Sequence, residues 1–414
     1  MNQTAEPFRI ARYTEADREG VFALLRDAFS EQYSNHLRKI WDWKYDSHPL
    51  NREADIARRT YLRESWDGIV AAFTPELMAE WGVSLDDLGK IPQDAPYILL
   101  LRQGDRLAAM TASLPQEFVI NGRRRLVCSS CDTAVHPDFR GANLAIRIGI
   151  RMSLEHGLVH GWSNRSSRVA SQRFTKRTYH QWRHRTNATW RTMRVVPLVK
   201  PIDWSYMVHR STGINLPGNI AAVVKGGAQR FNTPFGAPSD ATGVDIFRLE
   251  AFDDRIDELW NRVSRLHRVI GVRDSGYLNW RFNSRPDTTY VCLAAATGSD
   301  IVGYLVYRMV EQDGARWGYI VDFLCEGDPA AIFSLLVRRA EERMIADGAK
   351  AIVCFMAKAP FRQALRRAGF YPSIFGTRSY MTGAVVSEDL QLQPFAEVQS
   401  WFATMGDGDA EMVF

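Results

Sequence analysis

Val135-His136-Pro137-Asp138-Phe139-Arg140-Gly141-Ala142-Asn143-Leu144-Ala145 is the stretch whose reading decides the fold. An apolar, strand-like segment, Arg125 to Val135, runs into it. Beyond it Leu144, Ile148 and Met152 recur at i, i+4 and i+8, with Ile146 and Ile150 alongside, which is helical spacing. The chain is therefore expected to leave a strand, turn tightly through Gly141 and start a helix. The first N–H groups of a helix have no intrahelical acceptor and lie at the positive end of its dipole, so such a start suits a phosphate. Gly141, Ala142, Asn143 and Ala145 are small or turn-tolerant and let backbone approach a ligand. An ordinary strand–helix connection has the same features, so the turn alone leaves both readings open.

Composition bounds the rest. A chain of 414 residues suggests two or three domains. The 46% hydrophobic and 24% charged content is that of a globular protein. No apolar run is long enough to span a bilayer, and Met1 to Asp17 has no apolar signal-peptide core, so a cytoplasmic protein without a membrane partner is expected. The five cysteines include a C-x-x-C pair, Cys128 and Cys131, but it lies on an expected strand with no second ligand pair. Buried thiols are the reading, and no metal site is expected. Charge is uneven within a net +5: from His156 through Ile202 there is no Asp or Glu, while Arg165, Arg168, Arg173, Lys176, Arg177 and Arg183 fall in that span. A field of one sign favours an anionic partner, and a solvated basic face is the alternative.

Read in order, Phe8 to Arg12 alternates as a strand, and Glu15 to Phe29 has helical spacing. Asn51 to about residue 92 reads as a charged, largely helical insertion. Tyr97 to Leu101 and Arg106 to Ser113 read as strands joined at Gly104-Asp105. Glu117 to Ile120 and Leu126 to Val135 read as a hairpin about Asn121-Gly122. The helix Leu144 to His156, a strand Val159 to Ser163 and a helix Ser166 to Arg177 follow. The second half repeats the first. Tyr277-Leu278-Asn279-Trp280-Arg281-Phe282-Asn283-Ser284-Arg285-Pro286 aligns, from Leu278 onward, without a gap on Trp41 to Pro49, pairing Trp43 with Trp280, Lys44 with Arg281 and Tyr45 with Phe282. Strands at Tyr290–Ala296, Ile301–Arg308, Trp317–Cys325 and Ala351–Met356 and helices at Ala330–Asp347 and Ala359–Arg367 are expected there. The fold class expected is therefore α/β (α+β): two tandem domains, each a mixed, mostly antiparallel sheet flanked by helices. The boundaries read are 1–200, a linker at 201–245, 246–385, and a packed tail at 386–414 carrying Phe395, Trp401 and Phe402.

The run Val135-x-Pro137-x-x-Arg140-Gly141-x-x-x-Ala145 resembles the pyrophosphate-binding motif of the GNAT N-acetyltransferase superfamily, (Gln/Arg)-x-x-Gly-x-(Gly/Ala) after a strand. Arg140 and Ala145 match its ends, and Asn143 stands at the central glycine, where asparagine best tolerates a left-handed backbone. The Trp-x-Trp-Lys-Tyr and Asn-Trp-Arg-Phe elements resemble those of GNAT-like proteins associated with polysaccharide biosynthesis, although aromatics there are more often core. The resemblance implies acetyl-CoA, or another acyl-CoA, as cofactor. It implies that the strand at Val135 positions the thioester and that Arg140, Gly141, Ala142, Asn143, Leu144 and Ala145 hold the pyrophosphate. Asn164 stands at the family's asparagine. Phe174 falls at the position of its proton-donating tyrosine, which leaves Tyr179, His180 or water for that step, or a step with no dedicated acid.

Acyl transfer to an amine needs a neutral amine, a polarised carbonyl and a protonated leaving thiolate. Asp132 is the carboxylate on the strand before the motif and is the candidate base, with a hydrogen-bonding role equally open. Strand parity turns it away from Val135 unless a bulge intervenes. His136 is the second candidate base. In the second half the equivalent stretch, Asp322 to Pro329, places Glu326 and Asp328 where phosphate would arrive, and two carboxylates repel an anion. The expectation is an acyl-CoA-dependent N-acyltransferase acting in the N-terminal domain on a primary amine of a small molecule or amino sugar. A transferase using acyl-carrier protein or aminoacyl-tRNA, and a non-catalytic ligand-binding protein, are the alternatives. An acyl-carrier protein and a second copy of the chain stay open as partners, and nucleic acid is not the partner expected.

Overall fold

The alternation at Phe8–Arg12 forms β1, the edge of a first mixed sheet. The structure is a computed structural model that describes residues 7–72, 96–163, 189–213, 243–312, 314–373, 379–387 and 389–408. Its contacts divide the chain into two units, 1–193 with 380–398, and 194–379 with 399–414.

In the first unit β1 is followed by α1 (Arg18–Ala28) and α2 (Glu31–Trp41). α1 exists because Val21, Phe22, Leu24 and Leu25 form one apolar face, all of it buried. α2 is not among the expected helices, yet its start carries a clear signal: Ser30 accepts a hydrogen bond from the Tyr33 N–H as an N-cap. A π-turn, Asp42–Asp46, and the 22-residue α3 (Asn51–Ala72) come next. β2 (Ile98–Gln103), β3 (Arg106–Ile120) and β4 (Arg123–Val135) are antiparallel neighbours. Where the sequence suggests a break before Glu117, β3 continues for 15 residues. Pro115 lies beyond Ala112, the last residue of β3 that pairs with β2. The β3–β4 turn has the backbone that Asn-Gly favours, with φ of 48° at Asn121 and 78° at Gly122. Then come α4 (Leu144–His156), β5 (Leu158–Ser163), parallel to β4, and β6 (Thr189–Val195).

In the second unit β7 (Leu198–Pro201) and α5 (Trp204–Thr212) occupy part of the expected linker, the remainder of which, 214–242, lies outside the described residues. β8 (Asp245–Leu249), α6 (Asp254–Val263), β9 (Val269–Gly271) and the short α7 (Ser275–Leu278) lead into a second π-turn, Asn279–Asn283. β10 (Val291–Thr297), β11 (Asp300–Gln312), β12 (Ala315–Cys325), α8 (Ile332–Ala346), β13 (Ala351–Cys354), α9 (Ala359–Arg367) and β14 (Tyr371–Pro372) complete it. The sheet order is β14-β7-β13-β12-β11-β10-β8. The last strand, β15 (Ser379–Val385), was expected in the second domain, but it pairs antiparallel with β5 and extends the first sheet. Its register, Val385 on Leu158 through Tyr380 on Ser163, satisfies the outer edge of β5. Phe395, Trp401 and Phe402 of the tail are fully buried. Among the described residues no helix is long and apolar enough to cross a membrane.

The core of the first unit that positions the site lies between α4 and the sheet. Leu144 and Ile148 pack on Leu101, Ala108 and Ala109, with Val135 and Phe139 against them. Met152 continues this contact onto Leu99, Cys128 and Val159. Each fully buried Leu, Ile, Val or Met side chain among these contributes about 1.5–3 kcal/mol. All five cysteines are buried thiols, and burial pushes Cys128 up to about 12.

Candidate active site

β4 and β5 run side by side only briefly. Cys128, Ser129 and Ser130 pair with Val159, His160 and Gly161, and the pairing then stops although both strands continue. Beyond that fork Thr133 is exposed, and Val135, His136, Gly161 and Trp162 are half-buried. A parted pair of parallel strands exposes backbone N–H and C=O groups along a cleft, the arrangement a linear ligand with amide bonds needs.

A bulge falls inside the fork. Ala112 faces Cys131 and Met110 faces Ala134, so Asp132 and Thr133 together oppose Thr111. Asp132 takes a left-handed φ of 48°. The bulge does not bring Asp132 to Val135's face. Val135 packs in the α4 cluster, whereas Cys131 and Asp132 both meet the Tyr45 hydroxyl. The Asp132 carboxylate is 1% exposed and accepts hydrogen bonds from Tyr33 Oη at 2.5 Å, Lys44 Nζ at 2.8 Å and the Tyr45 hydroxyl. Tyr33, Lys44 and Tyr45 are absent from the expected site. Lys44 and Tyr45 belong to the repeated aromatic element, and the structure shows why that element matters, because the π-turn lowers both side chains onto the bulge. Lys44 grips a carboxylate, and it is the chain's own. The aromatics of that element are core, with Trp41 packed between Phe22 at 5.1 Å and Tyr45 at 4.8 Å.

The motif turn follows the fork. His136 donates its N–H to the Ala108 carbonyl at 2.9 Å and caps a single turn, Pro137–Phe139, its Nδ1 accepting from the Asp138 N–H. Its ring lies 3.8 Å from Asp27. The Arg140 guanidinium donates to the Ala28 carbonyl at the end of α1, at 3.0 Å, which ties the turn to that helix. Gly141 (φ 99°) and Asn143 (φ 57°) make the two left-handed steps, and Asn143 stands at the N-cap of α4. Its side chain caps nothing. The N–H groups of Asn143, Leu144 and Ala145 make no hydrogen bond to another described residue. Three adjacent N–H groups at a helix N-terminus, behind a glycine with no atom within 4 Å of its missing Cβ, form an anion cradle. Asn164, Phe174, Tyr179 and His180, with the basic residues from Arg165 to Arg185, lie outside the described residues. Of the basic span beyond them, Arg191 and Arg194 are exposed and Lys200 is buried against Glu341.

The second unit has the same frame with its openings filled. β12 and β13 pair from Trp317 to Ile320 and then part, and a bulge at Val321 precedes the buried Asp322. Here Phe323 plugs the fork, stacked on Phe333 at 4.3 Å, Phe361 at 5.4 Å and Phe402 at 5.7 Å. The turn before α8 is occupied by its own carboxylate, since Asp328 accepts from the Ala330 N–H at 2.9 Å.

The chain superposes on a GCN5-related N-acetyltransferase from Anabaena variabilis with a TM-score of 0.52 at 11% identity, over 91% of this chain and 72% of that one. A GCN5-related N-acetyltransferase from Kribbella flavida gives 0.50 at 12% identity, over 92% and 72%. A conserved Enterococcus faecalis protein described as a probable N-acyltransferase gives 0.50 at 11%, over 93% and 74%. The fold is that of the GCN5-related N-acetyltransferases. At these identities the likeness is one of GNAT fold. No family model matches the chain, and no curated protein matches it either.

Proposed function

We propose that the protein is an acyl-CoA-dependent N-acyltransferase whose donor site is the fork and turn of the first unit, with a small-molecule primary amine as acceptor. The observation that carries this reading is the pairing of an open β4/β5 fork with the N–H groups of Asn143, Leu144 and Ala145, which no other described residue takes. The N–H groups and the α4 dipole take the pyrophosphate. The parted strands take the amide-bearing arm, and the bound donor supplies the thioester carbonyl at the bulge. The second unit, plugged by Phe323 and capped by Asp328, holds the scaffold and no donor.

At the bulge Asp132 is too buried to meet an amine directly. Tyr33 is half-buried and its hydroxyl already donates to Asp132. As the neutral amine attacks the carbonyl carbon, its proton passes to Tyr33 Oη while the phenol proton passes to Asp132. The C–S bond then breaks, and the thiolate takes a proton from water. Lys44 and Tyr45 hold the carboxylate in place for this relay.

Calorimetric titration of acetyl-CoA tests the reading. We expect one site per chain, with affinity reduced at least tenfold by Asn143→Asp, which sets a carboxylate at the cradle. Tyr33→Phe should leave donor affinity unchanged and lower kcat by about 10²-fold, the usual worth of a positioned proton-transfer group. Two sites per chain, or binding indifferent to Asn143→Asp, would remove the donor from this turn.

A further inference from the structure

At the other end of α4, about 18 Å along the helix axis from the donor turn, the first unit contains a second polar site. Glu155 is fully buried and is shared by Arg12, Arg151 and the Tyr97 hydroxyl, the last at 2.8 Å, with Arg58 Nη1 at 3.7 Å. Burial alone would raise the Glu155 carboxyl, but Arg12, Arg151 and Arg58 hold it down at about 2. Arg58 also donates from Nη2 to Asp55 at 2.6 Å, and Asp55 in turn takes Arg59 at 2.8 Å. The buried Arg58 and Arg151 and the half-buried Arg12 thus face two carboxylates, one of them shared with the more exposed Arg59, which among the described residues leaves a positive charge unmatched. His156 does not change this balance, because burial lowers its imidazole to about 3 and keeps it neutral.

Unmatched charge and unmatched donors coincide. Among the described residues Arg58 Nη1 and His156 Nε2, both buried, find no hydrogen-bond partner, and the Arg58 side chain is only 2% exposed. A buried donor left unpaired costs about 1–3 kcal/mol, more if charged, so such a pair calls for an acceptor. Both residues line one small cavity that opens to solvent, together with Asn51, Asp55, Tyr97 and Ser113.

We propose that this cavity between α3, α4 and β3 is a binding site for a small carboxylate. One carboxylate oxygen takes Arg58 Nη1, and the other takes His156 through its Nε2–H tautomer. The single negative charge balances the cluster. Asp55 and Glu155 on the same wall disfavour a dianion such as phosphate. The site is separate from the cradle at Asn143 and stands whether or not that turn holds a donor.

Sodium acetate is the probe, titrated at constant ionic strength against sodium chloride while the melting temperature of the full chain is followed. Wild type should show a saturable rise, as expected for a ligand bound only by the folded state. Arg58→Gln should weaken the apparent acetate affinity at least tenfold. Ala54→Leu, which fills the cavity from α3 without touching the ion cluster, should do the same and covers the case in which Arg58→Gln does not fold. A crystal of wild type grown in acetate should show the carboxylate at Arg58 Nη1. A wild type with no saturable rise overturns the proposal, as does a folded Ala54→Leu variant that binds acetate as tightly as wild type. A chloride response equal to that of acetate would overturn the assignment to carboxylates.

Discussion

The two central bulges differ less in their frame than in what surrounds it. Each places a buried aspartate two residues past the point where its strand pairing ends, Asp132 after Ser130 and Asp322 after Ile320. Each aspartate is held by a cation and a phenol: Lys44 with Tyr33 and Tyr45 in one, Arg273 with Tyr304 in the other. In the first unit the strand then opens, with Thr133 exposed and Val135 half-buried. In the second it stays buried through Cys325, and the tail adds Thr404 to the Asp322 network at 2.5 Å. The difference teaches that a fork becomes a site only where aromatics do not fill it and side chains do not cap the turn. Repetition preserved the frame, and a few side chains decided which copy is open.

The largest effects should come from breaking the buried ion pairs. Arg273 is fully buried and bonds Asp322 at 3.0 Å and Asp407 at 2.7 Å, so Arg273→Met would leave two carboxylates without their cation. Lys44→Met would leave one. Removing one partner of a buried pair costs about 3–5 kcal/mol, and urea denaturation should place Arg273→Met at or above the top of that range and Lys44→Met within it. Lys44→Met with Asp132→Asn removes both charges, keeps an acceptor for the two phenols and a residue that tolerates the left-handed φ, and should recover most of the loss while abolishing acyl transfer. If that double variant stays as unstable as Lys44→Met alone, the pair is not what holds the π-turn on the bulge.

Unplugging the closed copy is the sharper test of the comparison. Phe323→Ala removes the plug itself, an aromatic packed on Phe333 at 4.3 Å and Phe361 at 5.4 Å, and large-to-small changes of this kind cost about 3–5 kcal/mol. The emptied fork should still bind no acetyl-CoA, because Asp328 keeps its place at the turn. Calorimetry showing a second donor site in Phe323→Ala would mean that the plug alone distinguishes the two units.

A pH effect of middle size separates the units further. His160, 1% exposed and bonded to Gln116 at 2.7 Å, is held at about 3 by burial, against an ordinary 6.5. A base whose folded pKa is depressed stays neutral in the fold while the unfolded chain takes up a proton. Its stabilisation is therefore complete above pH 6.5 and is lost as pH falls from 6.5 towards 3. By pH 5 the loss is about 2 kcal/mol, and His160→Gln should flatten the slope of unfolding free energy by that amount. His267 of the second unit is also lowered to about 3, by burial and then by Lys358 and Arg273, but it is less enclosed and should give a shallower slope.

Much of this was legible in the sequence, because local signals and long-range contacts agreed. The periodicity from Leu144 to His156, the Asn121-Gly122 turn and the gapless echo of Trp41–Pro49 in the second half all report their own geometry. The echo even forms the same element twice, the π-turns Asp42–Asp46 and Asn279–Asn283. What escaped depends on partners distant in the chain. Nothing near Asp132 signals that Tyr33 and Lys44, 99 and 88 residues away, will take its oxygens. Nothing near Ser379–Val385 tells that strand to join β5 rather than its own neighbours in sequence. The Asp132 bulge enters a sequence reading only as an exception to strand parity, since a single inserted residue leaves no compositional mark.

The smallest expected effect bears on the turn itself. Asn143 holds φ at 57°, a conformation in which a non-glycine residue is strained by about 1 kcal/mol and asparagine by less. Asn143→Gly relieves that strain but widens the freedom of the unfolded chain, so the two terms nearly cancel and stability should move by no more than about 0.5 kcal/mol. A β-branched residue has no such compensation, and Asn143→Val should cost about 1–2 kcal/mol. Donor affinity ranks these variants for a different reason. The cradle uses backbone N–H groups and not the asparagine amide, which caps nothing. Asn143→Gly should therefore bind acetyl-CoA within about twofold of wild type. If Asn143→Gly loses binding although its melting temperature is unchanged, the amide itself meets the ligand, and the open turn is a side-chain site rather than a backbone one.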